Sequence, residues 1–464
     1  MMLFDTIAAI STPQGKGGIA VIRVSGGDAI KISEKVFEVT HKTAKALSEL
    51  ESRYFCRGRI WRNYSGERIC IDDGMAVVFR APASFTGEDT VEISCHGGAL
   101  VTASVFSALI EAGARAAGAG EFTRRAFVNG KMKLTQAEAL GLLLEAENEN
   151  QLLISRSGMK GILSDATEAL YTRLVNVMGS VWARIDFPDE DLSEMSREEI
   201  RAELSAVLSE VDKLAATYKT GRAVSEGIPT AICGHTNVGK SSVYNRIVGY
   251  DAAIVTDIEG TTRDILREKV SLGGVTLKLS DTAGLRDTAD VVESIGIERA
   301  RSEISKCELI LAVIDATVPL SNEDEEFYRE LRASGKQVIA LYNKTDLLSG
   351  ENISASDVFD KKIFVSAKAN DGFDVLAETV NKLYIDGNLS LYNDAVVMDG
   401  RQYSALVSSS DSLKRAISAI DDSLEFDLLA VDIEAAMVNL GEIDGREVGE
   451  DIVANIFSRF CVGK

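Results

Sequence analysis

Proline is scarce in this chain, with five residues in 464. So few helix breakers leave room for long uninterrupted helices. No run of about 18 or more apolar residues occurs, so no membrane span is expected. The opening stretch MMLFDTIAAISTPQGKGG carries Asp5 and no basic head, so it does not read as a signal peptide. The six cysteines (56, 70, 95, 233, 307, 461) never show CxxC spacing. That argues against a zinc site or a disulfide framework and fits a reducing, cytoplasmic setting. No G-x-G-x-x-G fingerprint follows a predicted strand, so flavin or nicotinamide chemistry of that type is not expected in this chain. Internal repeats and low-complexity segments are also missing.

Positive charge is short. The formal net charge is −21, unevenly spread. Residues 1–131 hold 16 basic and 14 acidic residues, so they are near neutral and the remainder carries −23. This balance argues against broad nonspecific affinity for nucleic acid. It leaves room for a local basic surface or for a partner that carries the nucleic acid, and the near-neutral first region is the better side for RNA.

Apolar residues make up 45% of the chain, enough for real cores, and the length suggests two to four domains. Residues 1–131 read as mixed α/β: GGIAVIRVSG, MAVVFRAP and DTVEISCHGG are strand candidates, and ALVTASVFSALIEAGA is a helix ending near Gly113. Residues 132–226 read as helical. TQAEALGLLLEAENENQLLISR has no Gly or Pro after Gly141, and Ile200, Leu204, Val207, Leu208, Val211 and Leu214 form one apolar stripe. Pro188 in IDFPDEDL stops one of these helices. From 227 to 385 short, wholly apolar runs (PTAICG, ELILAVIDA, KQVIALYN, KIFVSAK) alternate with loops and helices, as in a parallel sheet covered on both faces. LREKVSLGGVTLKLSD reads as a hairpin turning at Gly273-Gly274. Residues 386–464 return to helix. The fold class is therefore α/β and all-α multidomain: an α/β N-terminal domain, a helical bundle, and an α/β unit inserted between its two stretches.

The inserted unit carries a nucleotide site. GHTNVGKS, Gly234 to Ser241, fits the phosphate-binding loop and sits between a predicted strand and helix. Backbone N–H groups around Asn237, Val238 and Gly239 would close on phosphates at the helix N-terminus. Lys240 would reach the β- and γ-phosphates, Ser241 would ligate Mg²⁺, and Ser242 follows. The stretch Thr256, Asp257, Ile258, Glu259, Gly260, Thr261, Thr262 is the switch I candidate, with Thr262 a second Mg²⁺ ligand. Asp281, Thr282, Ala283 and Gly284 form DTAG at a strand end, near the metal shell and the γ-phosphate. In NKTD, Asn343, Lys344 and Asp346 select the base: two carboxylate oxygens match the N1–H and N2–H₂ donors that guanine has and adenine lacks. Ser366, Ala367 and Lys368 offer a backbone N–H to guanine O6. Four motifs in order define a GTP-binding domain, so the inserted unit, residues 227–385, reads as a Ras-like P-loop G domain.

Many Ras-type GTPases place a water-holding glutamine after DTAG; here the residue is Leu285. Glu293, twelve residues beyond Asp281, is a polar group that could orient the water, or a solvated helix-face glutamate. Asn237 could hold a monovalent cation or simply suit a tight turn, and Arg263 could serve as an arginine finger or pair with a switch I carboxylate.

The whole chain resembles the MnmE, or TrmE, family of bacterial tRNA-modification GTPases. In the G domain the likeness rests on NVGKSS, AIVTDIEGTTRD, DTAGLR, VVESIGIERA and NKTD. Elsewhere it rests on DTIAAISTPQGKGGIAVIRVSG, SFTGEDTVEISCHGG, GEFTRRAFVNGKMKLTQAEA, IDFPDE and IFSRFCVGK. The resemblance implies GTP hydrolysis with Mg²⁺ and with K⁺ in place of an arginine finger, the K⁺ held at Asn237, Thr256, Ile258 and Thr261. It implies that Glu293 orients the water. It implies a constitutive homodimer whose G domains pair face to face. The N-terminal domain would bind a tetrahydrofolate derivative, in 5-formyl or methylene form, through Arg23, Glu92, Lys131 and Lys464, and Cys461 is a candidate nucleophile beside it. The family acts on C5 of the tRNA wobble uridine with the flavoprotein MnmG, or GidA, in a heterotetramer, FAD being bound by that partner alone. The G domain by itself also suits a GTP-controlled RNA-binding or ribosome-assembly switch; the folate-pocket residues and the FCVGK end favour the modification enzyme.

Overall fold

The computed structural model describes the chain apart from residues 1–4, 14, 41–45, 188–194, 251–267, 280–305, 349–355, 447 and 464. Two compact units emerge. One comprises residues 1–141 with 444–464, the other 142–443.

The first unit is built on a seven-stranded sheet in the order β3-β4-β5-β6-β2-β1-β7. The strands are β1 (Ile7–Ile10), β2 (Ile19–Ser25), β3 (Phe37–Val39), β4 (Phe55–Tyr64), β5 (Glu67–Phe79), β6 (Thr90–His96) and β7 (Arg115–Ala116). Period-two burial along β2 and β6 sends Ile22, Val24, Val91 and Ile93 into a core with the helices Ala29–Val36 and Ala99–Glu111. Arg23 and Glu92 fall opposite one another on the other face. Residues 444–464, read from sequence as helical-domain chain, pack within this unit. Val453 and Phe457 of the helix Glu450–Ser458 bury against Leu134 and Ala137.

In the second unit, the helices Ile162–Asp186, Arg197–Ala216, Gly400–Asp421 and Phe426–Asp444 share one apolar core. Ile200, Leu204, Val207 and Val211 of the predicted stripe are fully buried there, with Leu208 and Leu214 at its margin. The stretch read as helix from residue 134 is realised as two helices: the first ends at Leu144, and the second starts at Glu149, where Asn148 caps it, its side chain accepting from Gln151 N–H. The helix expected to stop at IDFPDEDL ends at Asp186, two residues before Pro188 in the sequence.

The same unit holds a six-stranded sheet, order β13-β12-β11-β8-β10-β9. Its strands are β8 (Ile228–Cys233), β9 (Glu268–Leu272), β10 (Val275–Leu279), β11 (Leu309–Asp315), β12 (Gln337–Asn343) and β13 (Lys362–Phe364). All pairs are parallel except β9 with β10. Central β11 shows why its sequence does not alternate. Leu309, Leu311 and Val313 pack on one face while Ile310, Ala312 and Ile314 pack on the other. The β9–β10 turn is Gly273-Gly274, at φ +61° and +75°. A Cβ on Gly273 would lie 2.1 Å from Ala377 O, and one on Gly274 would lie 2.2 Å from Asn150 Nδ2. The hairpin tip is thus held by helix Phe373–Tyr384 on one side and by the bundle-side Asn150, which donates to Gly274 O at 3.0 Å, on the other.

Candidate nucleotide site and N-terminal pocket

In the sheet β8 lies between β10 and β11, and the later strands β11, β12 and β13 extend to one side while β10 and β9 extend to the other, so the loop after β8 opens at a topological switch point. That loop is GHTNVGKS. Gly234 sits at φ +146°, Asn237 at +65° and Gly239 at +98°, just before helix Lys240–Val248. The two glycines are needed for closeness as well as curvature: a Cβ on Gly234 would lie 2.2 Å from Val313 O, and one on Gly239 would lie 2.3 Å from Asn343 Nδ2. The Lys240 ammonium lies within the loop, donating to Gly234 O at 3.0 Å and His235 O at 2.6 Å. Asn237, Ser241 and Ser242 face solvent.

Asn343 joins the recognition loops. It is 3% exposed. Its Nδ2 donates to Val238 O of the phosphate loop at 2.9 Å, and its Oδ1 accepts from Ala367 N–H at 3.0 Å. Asp346 accepts from Ser366 Oγ at 2.6 Å, and the same hydroxyl accepts from Ala369 N–H. The phosphate, NKTD and SAK loops therefore meet, and Asp346 keeps a second oxygen for a base edge. Lys344, in left-handed backbone at φ +70°, pairs with Asp315 at 2.6 Å. Burial pulls the Asp315 carboxyl upward, but hydrogen bonds from Lys344 and Thr317 outweigh it and hold it below its ordinary value. Lys368 is exposed at the end of its loop.

The sequence reading passed over several supports. Asp315 stands at the end of β11, where a carboxylate closing an apolar strand is the available signal. Arg246 of the phosphate-loop helix donates to Ala367 O at 2.7 Å. His235 meets Asp324, the N3 residue of helix Asn322–Ala333, whose carboxylate also closes a capping box with Ser321. Thr256, Asp257, Ile258, Glu259, Gly260, Thr261, Thr262, Arg263, Asp281, Thr282, Ala283, Gly284, Leu285 and Glu293 lie outside the described residues.

In the first unit, Arg23 and Glu92 are paired at 2.7 Å, each about one-fifth to one-quarter exposed. The guanidinium lies over Phe85 and Phe122, at 5.5 and 5.7 Å from the ring centroids. Lys131 reaches the same 82–87 loop, donating to Pro82 O at 2.9 Å. The C-terminal tail runs close by: Val462 bridges to Ala119, and Gly463 O accepts from Ser11 Oγ at 3.2 Å. Cys461 is exposed, and Lys464 is outside the described residues. Arg125 is the residue that sequence reading missed. It is 1% exposed and bonds Asp5 at 2.6 Å, Glu88 at 3.1 Å and Glu121 at 3.1 Å. Glu88 belongs to FTGED, so this cluster fixes the loop that carries Phe85. Its only sequence signal is a doublet of arginines in an otherwise amphipathic turn.

A parallel sheet with a phosphate loop, an Asn-Lys-x-Asp loop and a Ser-Ala-Lys loop joined through one asparagine defines a P-loop GTP-binding protein of the GTP-hydrolysing class. Family models agree with both parts of the chain: "GTP-binding protein TrmE N-terminus" matches residues 6–131, and "MnmE helical domain" matches 134–461. Among relatives, the tRNA modification GTPase MnmE of Moorella thermoacetica is 40% identical over 470 residues, all of both chains. That of Lactobacillus gasseri is 39% identical over 465 residues, 99% of this chain and 98% of its own. The chain belongs to the MnmE family of tRNA modification GTPases. Solved structures that share part of the chain include a variant of Aquifex aeolicus Era bound to GDP.AlF4− (23% identity, 39% of this chain, 65% of that chain, TM-score 0.25). The G domain of T. maritima FeoB matches at 21% identity, 33% of this chain, 97% of that chain and TM-score 0.24. No described helix is long and apolar enough to cross a membrane.

Proposed function

We propose that this chain binds GTP across the phosphate, NKTD and SAK loops and hydrolyses it to GDP and phosphate in the service of tRNA wobble uridine C5 modification. The observation that carries the reading is Asn343, which ties the phosphate loop to the base loop through Val238 O and Ala367 N–H. Loop N–H groups and Lys240 hold the phosphates, and Asp346 with Ala367 reads guanine. The described donors suit the cations the family implies. Ser241 offers a hydroxyl and Asn237 an amide oxygen, both hard ligands on exposed positions. Ser241 and Thr262 would hold Mg²⁺, and Asn237, Thr256, Ile258 and Thr261 would hold K⁺. When bound, the two cations supply the positive charge that phosphoryl transfer requires and that an arginine finger supplies elsewhere. Glu293 is assigned the attacking water.

The Arg23–Glu92 cluster of the first unit is assigned to a tetrahydrofolate one-carbon donor. Arg23 beside the Phe85 face suits a flat ring with an anionic tail, and Glu92 suits an amino/imino edge. Lys131, Lys464 and Cys461 complete the assignment. The chain works as a cytoplasmic homodimer with a flavoprotein of the MnmG type, which brings FAD, and tRNA is the substrate.

The test is GTP hydrolysis in K⁺ against Na⁺ for wild type and Glu293→Ala, with wobble-uridine analysis of a deletion strain. Hydrolysis should need K⁺ and should fall roughly 10²–10⁴-fold without Glu293, the range of general-base effects. Equal rates in both salts would overturn the cation assignment, and an active Glu293→Ala would overturn that of the water. Unchanged wobble uridines would leave a GTP-controlled RNA-binding switch in its place.

A further inference from the structure

At the end of the second sheet opposite the phosphate loop lies a cavity of about 460 Å³. Its walls come from the starts of β11 and β12, the end of helix Phe373–Tyr384 and the helix Tyr218–Ser225. Lys219, Lys306, Lys336, Glu308, Gln337 and Tyr384 line it. Three lysines are thus gathered around one small volume in a chain of net charge −21. Glu308 offsets little of that charge, because Arg222 already pairs with it.

Tyr384 is the second observation. The residue is 3% exposed, and its hydroxyl has no hydrogen-bond partner among the described residues. A buried, unpartnered hydroxyl costs about 1–3 kcal/mol and is rare without a reason. Burial first, and then Glu308, keep its proton in place, so it remains a donor at any physiological pH. The other side chains of the cavity are placed by structure. Lys336 donates to Cys307 O at 2.6 Å, and Glu308 N–H donates to Pro229 O at 2.8 Å, which anchors the rim to the first residues of β8.

We propose that this cavity is a second ligand site, for a small phosphorylated molecule that also carries hydroxyl groups. Lysine ammonium groups are point-charge binders of phosphate. The Tyr384 hydroxyl gives a further donor to the phosphate, and the Glu308 carboxylate with the Gln337 amide accepts from the hydroxyls. A volume of this size holds a sugar phosphate and not a folded macromolecule. The site lies in the same sheet as the phosphate loop but at the other strand ends, and Lys306 is thirteen residues beyond Glu293 in the chain. A ligand here therefore has a short covalent path to the residues assigned to hydrolysis. The inference stands independently of the GTP and folate assignments.

The test uses the full-length chain with GDP and Mg²⁺ at saturation, so that the phosphate loop does not compete. Ribose 5-phosphate, ribose and a short single-stranded RNA are titrated by calorimetry. Ribose 5-phosphate should bind with a Kd of about 1 mM or tighter, and ribose should not. Lys219→Gln combined with Lys306→Gln, two exposed positions, should weaken binding about tenfold or more per ammonium removed. Tyr384→Phe keeps the ring and its packing, and should weaken binding while leaving the unfolding temperature at or above that of wild type. Absence of saturable binding by ribose 5-phosphate, or binding unchanged in these variants, would overturn the site. So would RNA binding through the same lysines without binding of ribose 5-phosphate.

Discussion

Replacing Asn343 by alanine tests the central joint of the nucleotide site. The side chain is 3% exposed and makes two hydrogen bonds to backbone groups of separate loops. Truncation orphans Val238 O and Ala367 N–H, in residues that are only 8% and 5% exposed. An unsatisfied buried group costs about 1–3 kcal/mol, so the two together are worth roughly 2–6 kcal/mol if the loops hold their positions. They will not hold them fully. Parting of the phosphate and SAK loops lets water in, recovers part of that cost, and separates the groups that must grip phosphate and guanine at once. If only about 1.4 kcal/mol of the total is charged to binding, GDP affinity drops about tenfold. The assay is fluorescent GDP binding by stopped flow, where the loss should fall mainly on koff. Asn343→Asp is the companion variant. It keeps an oxygen for Ala367 N–H but sets a carboxylate oxygen against Val238 O, so it should bind GDP no better than Asn343→Ala. If both variants bind GDP within about twofold of wild type, less than about 0.5 kcal/mol, then the joint through Asn343 is not what organises the site.

Two further outcomes follow from the geometry. Gly239→Ala sets a Cβ at φ +98° and 2.3 Å from Asn343 Nδ2, so GDP binding should fall at least as far as in Asn343→Ala; fluorescent GDP titration checks it. In the first unit, the Arg115 hydrogen bond holds the Asp5 carboxyl below its ordinary value of 3.8, opposed by burial and assisted by Arg125. A lowered folded value means stability that is fully present above pH 3.8 and is lost as pH falls through the lower folded value. Acid titration followed by circular dichroism should show that loss in wild type. Asp5→Asn should flatten the dependence over that window and leave the protein less stable at neutral pH.

The motif loops were legible because each is a local device. A phosphate loop needs glycines at fixed offsets, and a guanine reader needs an aspartate after a strand, so the order of residues alone announces them. The supports behind the loops are not local. Asn343 reads in sequence as part of NKTD, yet what it bonds lies at Val238 and Ala367, which only the sheet order β8-β11-β12-β13 brings to it. Arg125 reads as one of two adjacent arginines on a short helix, and nothing in the sequence says which of them turns inward to Asp5, Glu88 and Glu121. Residues 134–156 read as helix with no Gly or Pro after Gly141, and nothing in that pattern announces that Asn148 caps a second helix, a contact worth about 1 kcal/mol.

The Gly273-Gly274 pair shows the same limit from the other direction. The hairpin was predicted, and for a sound reason, since a two-residue turn of this kind needs positive φ at both positions. Turn geometry alone would accept Asn-Gly as well. The structure demands more, because Ala377 O and Asn150 Nδ2 each occupy the space a side chain would fill. Around that tip, Gln151 donates to both Thr276 Oγ1 and Val224 O at 3.1 Å, Asn148 reaches Thr276 Oγ1 at 3.3 Å, and Asn381 donates to Gly273 O at 2.8 Å. The strand after the tip, β10, ends two residues before Asp281, and the strand before it, β9, begins six residues after Thr262. The two switch candidates are therefore joined in sequence by a hairpin whose tip is held by Asn150 from the bundle side and by Asn381 of helix Phe373–Tyr384. A pattern of two glycines signalled the turn; positive φ at both positions and the backbone oxygen of Ala377 against Gly273 explain why glycine stands there.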